Sequence, residues 1–93
     1  MEHIEITQAT YAELAQALAE RCHHRDFLGG VLTVRQDKCV DVTLSFTVII
    51  YHDERDDSIT KIAPVWWECT TELDGEVVTN DFSFTDLLNE LFE

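Results

Sequence analysis

Basic residues are scarce in this chain of 93 residues, which has 6 Lys and Arg against 19 Asp and Glu and a formal net charge of −13 at pH 7. A nucleic-acid binder neutralises phosphates with basic side chains, so direct binding of nucleic acid is disfavoured. The longest wholly apolar stretch, Val48-Ile49-Ile50-Tyr51, is far too short to cross a membrane. The first residues are acidic where a secretory signal has a basic region. We therefore expect a soluble, cytoplasmic protein with no membrane partner.

Cysteine is also sparse, and Cys22, Cys39 and Cys69 form an odd set whose spacing suits neither a disulfide framework nor paired zinc knuckles. We expect three reduced thiols. The sequence also lacks a Walker A motif, a dinucleotide-binding fingerprint, His-Glu-x-x-His and Cys-x-x-Cys. These absences favour a protein that is not an enzyme and that holds neither a cofactor nor a metal.

Hydrophobic periodicity predicts a single α+β domain over residues 1–93. Alternation over residues 2–7 predicts a short edge strand. Apolar residues at helical spacing predict a helix near 11–24, with Thr10 and Glu13 as its capping box and Gly29-Gly30 as a chain break beyond its end.

The rest of the chain alternates as strands do before it returns to helix. Strands are predicted over residues 31–35, 40–50, 59–72 and 76–79, with a tight turn at Asp74-Gly75 and a short helix capped by Ser83. The expected fold is two-layered: a mainly antiparallel sheet of four to five strands, with the N-terminal helix packed on one face and a short C-terminal helix. Pro64 lacks a backbone donor, so its strand is expected to be either at an edge or bulged.

Trp66 and Trp67 are the most informative pair of residues for function. Adjacent residues of a strand point to opposite faces, so the two indoles cannot share one core. If both helices pack on one face, one tryptophan joins Ile49 or Tyr51 in an exposed aromatic patch; if the C-terminal helix covers the second face, both are buried. A homodimer would also cover the patch.

Acidic residues crowd the loop 52–58, where a calcium site is the alternative to a solvated hairpin end. The spacing fails for calcium, because the third, sixth and twelfth positions counted from Asp53 are Arg55, Ser58 and Pro64. Residues 62–93 contain no Lys or Arg and eight carboxylates. Such a surface attracts basic partners.

Histidines provide the only hint of catalysis. His23 and His24 follow Cys22 at the end of the predicted helix, but the three side chains diverge around its axis. A small enzyme using His23, His24 or His52 beside a carboxylate would need a cleft that holds them together. We regard this as the least favoured of three functional classes.

Three segments resemble a pattern in small uncharacterised acidic proteins of gut bacteria. They are Pro64-Val65-Trp66-Trp67-Glu68, Asp74-Gly75-Glu76 and Asn80-Asp81-Phe82-Ser83-Phe84. The resemblance lies within residues 64–84 and implies a bacterial cytoplasmic origin. It assigns no functional residue.

The favoured function is a non-enzymatic interaction module, a monomer or homodimer, that binds a protein partner, one with a basic surface among the candidates. The alternative is an inhibitor that mimics nucleic acid and occupies the groove of a basic DNA-binding protein. The residues predicted to contact the partner are Tyr51, Trp66, Trp67, Glu68, Asp53, Glu54, Asp56 and Asp57.

Overall fold

The computed structural model describes residues 4–23 and 25–92. Along the chain the elements are α1 (Gln8–Cys22), β1 (Phe27–Gln36), β2 (Val40–His52), β3 (Ile59–Leu73), β4 (Glu76–Asn80) and α2 (Phe84–Phe92). The four strands form one antiparallel sheet in the order β1-β2-β3-β4. The two-layer α+β architecture expected from the sequence is confirmed.

Helix α1 starts earlier than the sequence predicts. Thr7 is its N-cap and accepts a hydrogen bond from the backbone N–H of Thr10 at 3.2 Å. Thr10 is buried inside the helix, where its hydroxyl donates to the Gln36 side chain at 2.8 Å. The predicted capping box at Thr10 is therefore wrong, because Thr10 lies within the helix and faces the sheet instead of capping the helix N-terminus.

The predicted strand over residues 2–7 is not formed by its described part, residues 4–7, while residues 2 and 3 lie outside the described chain. Side chains satisfy this backbone instead. The carboxamide of Asn80 accepts from the Ile4 N–H and donates to the Ile4 carbonyl. Gln36 does the same for Thr7 N–H and the Glu5 carbonyl. With these groups already paired, the segment adds no strand to the sheet.

Gly29-Gly30 does not break the chain as predicted but lies within β1. Gly30 is paired with Phe46 on β2. A Cβ at Gly30 would lie 3.6 Å from the Phe46 ring and 3.5 Å from the Arg21 guanidinium, so these two groups cover the space that the glycine leaves. Strand β1 consequently begins at Phe27, four residues before the start of the predicted strand.

Both helices cover the same face of the sheet, which we call the helix face. The even-numbered residues of β2 point to it and are buried from Val40 to Ile50. Leu14, Leu18 and Cys22 of α1 pack there. At nine residues, α2 is too short to be stable alone. It is held by Phe84 and Leu87, buried in the same core, and by the Tyr11 hydroxyl, which accepts from Ser83 N–H at 3.0 Å.

The start of α2 and the turn between β3 and β4 follow the sequence prediction. The Ser83 hydroxyl accepts from Asp86 N–H at 3.2 Å, as an N-cap does. Asp74 and Gly75 have φ of 52° and 83°, the left-handed values of a tight hairpin turn. Pro64 lies in an inner strand beside a bulge, because the β2–β3 register shifts between Thr47 and Val48.

Candidate functional site: the open face of the sheet

The face of the sheet opposite the helices, here called the open face, carries no element of the described chain. Residues paired across antiparallel strands share a face. The register therefore places Phe27, Ile49 and Ala63 in one row of the open face, and Thr47 beside Trp66 in the next. Tyr51 and Lys61 form a row beyond Ile49.

An aromatic patch occupies one half of the open face. It consists of Phe27, Val31, Ile49, Tyr51 and Trp66, whose exposed fractions run from 38% for Ile49 to 59% for Phe27. Five such side chains at about half exposure present roughly 400–500 Å² of surface, within the range of the largest apolar patches on monomers, which are often functional. The Lys61 ammonium lies 5.8 Å from the centre of the Tyr51 ring, which places one cation against the patch.

Phe27 and Val31 were not among the residues predicted to contact a partner. The signal for Phe27 is weak, because it lies before Gly29-Gly30, a pair that predicts a chain break. Val31 lies in the predicted strand, but the sequence does not show which strand residue it is paired with. Their positions follow from the pairing of Phe27 with Ile49 and of Val31 with Ser45. Both side chains therefore extend the patch to the edge of the sheet.

Trp67 does not belong to the aromatic patch, which corrects its inclusion with Trp66 in one contact surface. It is paired with Phe46 and points to the helix face. Its ring lies 5.4 Å from that of Phe84 on α2. Trp67 is 41% exposed because it lines a shallow groove of about 500 Å³ between β3 and α2, together with Pro64 and Phe82. The bulge next to Pro64 does not change the alternation that separates the two indoles.

The other half of the open face is mostly polar, with Val77 as an exposed apolar side chain. Thr33, Thr43, Thr70 and Thr79 form one row across all four strands. The hydroxyls of Thr33 and Thr43 are 3.2 Å apart. Next to this row, the Arg35 guanidinium donates to the Asp41 carboxylate at 3.0 Å, which raises the pKa of Arg35. Glu68 lies between the two halves, paired with Ser45. The predicted contact residues Tyr51, Trp66 and Glu68 thus share one face.

The acidic loop (residues 52–58) joins β2 to β3 at the end of the sheet beyond Tyr51. Its carboxylates are partly used within the loop. Asp53 accepts from the Arg55 N–H at 2.8 Å, and Asp56 accepts from the Ser58 N–H at 3.0 Å. The hydrogen bonds from Ser58 lower the pKa of Asp56. Glu54, Asp56 and Asp57 are exposed, so the predicted acidic rim borders the patch at one end.

His52 lies near two carboxylates. Its Nε2 lies 3.7 Å from an Asp26 oxygen and its Nδ1 lies 3.7 Å from an Asp57 oxygen. Each ring nitrogen also faces a backbone carbonyl, that of Arg25 and that of Asp57. The Arg25 carbonyl is the largest cause of a raised His52 pKa, and the Asp57 carbonyl and the two carboxylates add to it.

This geometry bears on the enzyme hypothesis. His52 and His23 line a small pocket of about 320 Å³ with Asp57 and Ser58. A general base needs a free lone pair aimed at its substrate. Both nitrogens of His52 instead face acceptors, so His52 ties the acidic loop to the segment before β1. His24, the other histidine of this hypothesis, lies outside the described residues.

No metal site is found in residues 4–23 and 25–92, where no three His, Cys, Asp or Glu side chains come together as ligands. Neither α1 nor α2 has the length and apolar character that a membrane-spanning helix requires. Cys22 and Cys69 are buried and Cys39 is exposed, all three as free thiols. Burial raises the pKa of the Cys69 thiol to about 11.

Comparison of the chain with protein-family models, with curated proteins and with solved structures gives no match. The site must therefore be interpreted from its own geometry. That geometry offers an exposed apolar surface bordered by carboxylates, which suits contact with another protein.

Proposed function

We propose that this protein is a non-enzymatic interaction module that binds a protein partner through the aromatic patch. The observation that supports this most directly is the exposure of the patch while both helices pack on the opposite face. Tyrosine and tryptophan are the residues most enriched at the centres of protein interfaces, where their large rings exclude water. Trp66 and Tyr51 provide both types on one face.

The charge around the patch favours a partner with basic residues at its rim. Asp26 is almost fully exposed next to Phe27, at the start of β1. Glu68 lies on the same face, and the acidic loop borders the patch at the end where Asp26 lies. Because the chain has a net charge of −13, a basic partner associates with it faster than a neutral one does. The association slows as salt screens the attraction. A second copy of this chain would meet the same negative charge.

The test compares Trp66→Ala with Thr70→Ala, a substitution in the polar half of the same face. Immobilised protein is used to capture proteins from a native lysate at low salt, and retained proteins are identified as salt is raised. We expect a protein retained by the wild type and by Thr70→Ala to be lost from Trp66→Ala. Trp66→Ala should remain folded by circular dichroism, because its side chain is half exposed and outside the core.

Two results would overturn the proposal. One is identical retention by Trp66→Ala and wild type, which would show that the patch does not contact the retained protein. The other is unfolding of Trp66→Ala, which would show that the indole has a structural role. Trp67→Ala serves as a reference for a structural role, because it removes the contact with Phe84 on α2 and should lower stability.

A second candidate, mimicry of nucleic acid, is favoured by a separate group of carboxylates. Glu72, Asp74 and Glu76 are all exposed around the β3–β4 turn, away from the aromatic patch. Carboxylates in this position could occupy the phosphate sites of a basic groove. Competition at low salt tests this: the purified protein should displace DNA from a basic DNA-binding protein, and unchanged DNA binding would exclude mimicry of that target.

A further inference from the structure

The two free edges of the sheet differ in length and in charge. Edge strand β4 has five residues, and the Asn80 side chain at its end is engaged by Ile4. Edge strand β1 has ten residues and contains no carboxylate. Exposed long edges are templates for pairing with another strand, and proteins usually protect them. The β1 edge is therefore the one at which an added strand would find room.

The hydrogen-bond register shows which backbone groups of β1 point outward. Ile50 N–H donates to the Asp26 carbonyl at 2.8 Å, so the pairs with even-numbered β1 residues are the hydrogen-bonded ones. The N–H and C=O groups of the odd-numbered residues from Phe27 to Arg35 consequently point away from β2. This assignment agrees with Arg21, whose guanidinium donates to the outward Val31 carbonyl at 3.1 Å.

Arg21 donates to one group of this outward row, the Val31 carbonyl. The other outward N–H and C=O groups, those of Gly29 and Thr33 among them, have the spacing that a paired strand requires. Leu28 and Val34, the half-buried even-numbered residues at this edge, would be covered by apolar side chains of an added strand.

One cation lies at the middle of this edge, the Arg21 guanidinium at the Val31 carbonyl. The carboxylates of Asp26 and Asp37 lie beyond the two ends of β1, and Arg35 is already paired with Asp41. A strand that places a carboxylate opposite Arg21 would be attracted to the middle of the edge, whereas a strand with a lysine there would be repelled.

We propose that the β1 edge binds an extended acidic segment of a partner protein by β-strand addition. The segment pairs with the outward N–H and C=O groups of β1. A carboxylate of the segment takes over the Arg21 guanidinium, which releases the Val31 carbonyl to accept a backbone N–H. This site shares Phe27 and Val31 of β1 with the aromatic patch, but its recognition differs, because it rests on the backbone and on Arg21.

The probe is a capped peptide of the same ten residues' length as β1, in which valine alternates with glutamate. Two matched peptides replace glutamate with lysine or carry N-methyl groups on alternate amides. Amide hydrogen exchange and NMR titration of the full chain report the binding site. We expect the glutamate peptide to slow exchange at the outward amides of Gly29 and Thr33, and the lysine and N-methylated peptides to leave them unchanged.

Variants of the protein give a second arm. Arg21→Gln should weaken the glutamate peptide about tenfold, the value of one charge-assisted hydrogen bond. Thr33→Pro removes an outward N–H without breaking the β1–β2 ladder and should also weaken binding about tenfold. Thr79→Pro is the matched control, since Thr79 occupies the equivalent outward position on the β4 edge and should bind the peptide as wild type does.

The proposal is overturned by any of four results. These are no binding of the glutamate peptide, equal binding of the lysine peptide, protection at Thr79 instead of Gly29 and Thr33, or self-association of the protein through β1 at NMR concentrations. Because the N-methylated peptide needs no variant, the backbone part of the test holds even if Thr33→Pro fails to fold.

Discussion

The side chain of Gln36 is a buried polar link between the sheet and the start of α1, and its removal offers a quantitative test of the fold. Its Oε1 accepts from Thr7 N–H at 3.0 Å and from the Thr10 hydroxyl at 2.8 Å, while its Nε2 donates to the Glu5 carbonyl at 2.9 Å. Gln36 is 5% exposed and Thr10 is 4% exposed. Water therefore cannot replace the hydrogen bond to Thr10 without opening the structure.

The perturbation is Gln36→Leu, which keeps an apolar stem of similar size and removes all three hydrogen bonds. Leaving the Thr10 hydroxyl without its acceptor costs about 1–2 kcal/mol, a cost that the nearby Thr7 hydroxyl reduces. The Thr7 N–H and the Glu5 carbonyl are more accessible to water, and losing their hydrogen bonds costs about 0.5 kcal/mol each. The free energy of unfolding should fall by about 2 kcal/mol. For a domain of this size that lowers Tm by roughly 8–16 °C.

Urea unfolding measures the change in the free energy of unfolding, provided that its dependence on urea concentration has the same slope in both proteins. Gln16→Leu is the control. Gln16 is exposed on α1, so its substitution should alter the free energy of unfolding by less than about 0.5 kcal/mol. Equal effects of the two substitutions, or a loss at Gln36 within the range of the control, would refute the assignment of Gln36 as a buried link.

Two further predictions concern groups that titrate or react. Because the folded pKa of His52 is raised above its ordinary 6.5, chiefly by the Arg25 carbonyl, its contribution to stability is complete below pH 6.5 and is lost as pH rises through the folded pKa. His52→Gln should remove that part of the pH dependence, and an NMR titration giving a His52 pKa at or below 6.5 would contradict the geometry. A disulfide-exchange reagent should modify the exposed Cys39 rapidly, whereas Cys22 and Cys69 should react only on unfolding; three equally fast thiols in the folded protein would show that the core is open.

Local structure was largely predictable because it depends on patterns over a few residues. The alternation of Val40, Val42 and Leu44 with polar residues fits only a strand with one buried face, and β2 has that burial. The Asp74-Gly75 turn followed from the tolerance of these residues for positive φ. The errors at Thr10 and Gly29-Gly30 arose where a long-range contact, with Gln36 or with Phe46, outweighed the local preference.

The candidate site was predictable only in part. The sequence alone requires Trp66 and Trp67 to point to opposite faces, since alternation is a property of any strand. It cannot determine which indole meets the core, because a one-residue change of register exchanges the two faces. The bulge beside Pro64 and the pairing of Trp66 with Thr47 decide that Trp66 lies on the open face.

Sequence by itself thus determined the order of the helices and strands, the acidic charge and the separation of the two indoles, all of which depend on residues close together in the chain. Only the tertiary structure decided that α2 joins α1 on the helix face, that the aromatic patch is left uncovered, and that Gln36 is buried. The physical reason is that an apolar stripe specifies that a surface will be buried, whereas the packing partner that buries it depends on contacts between distant parts of the chain.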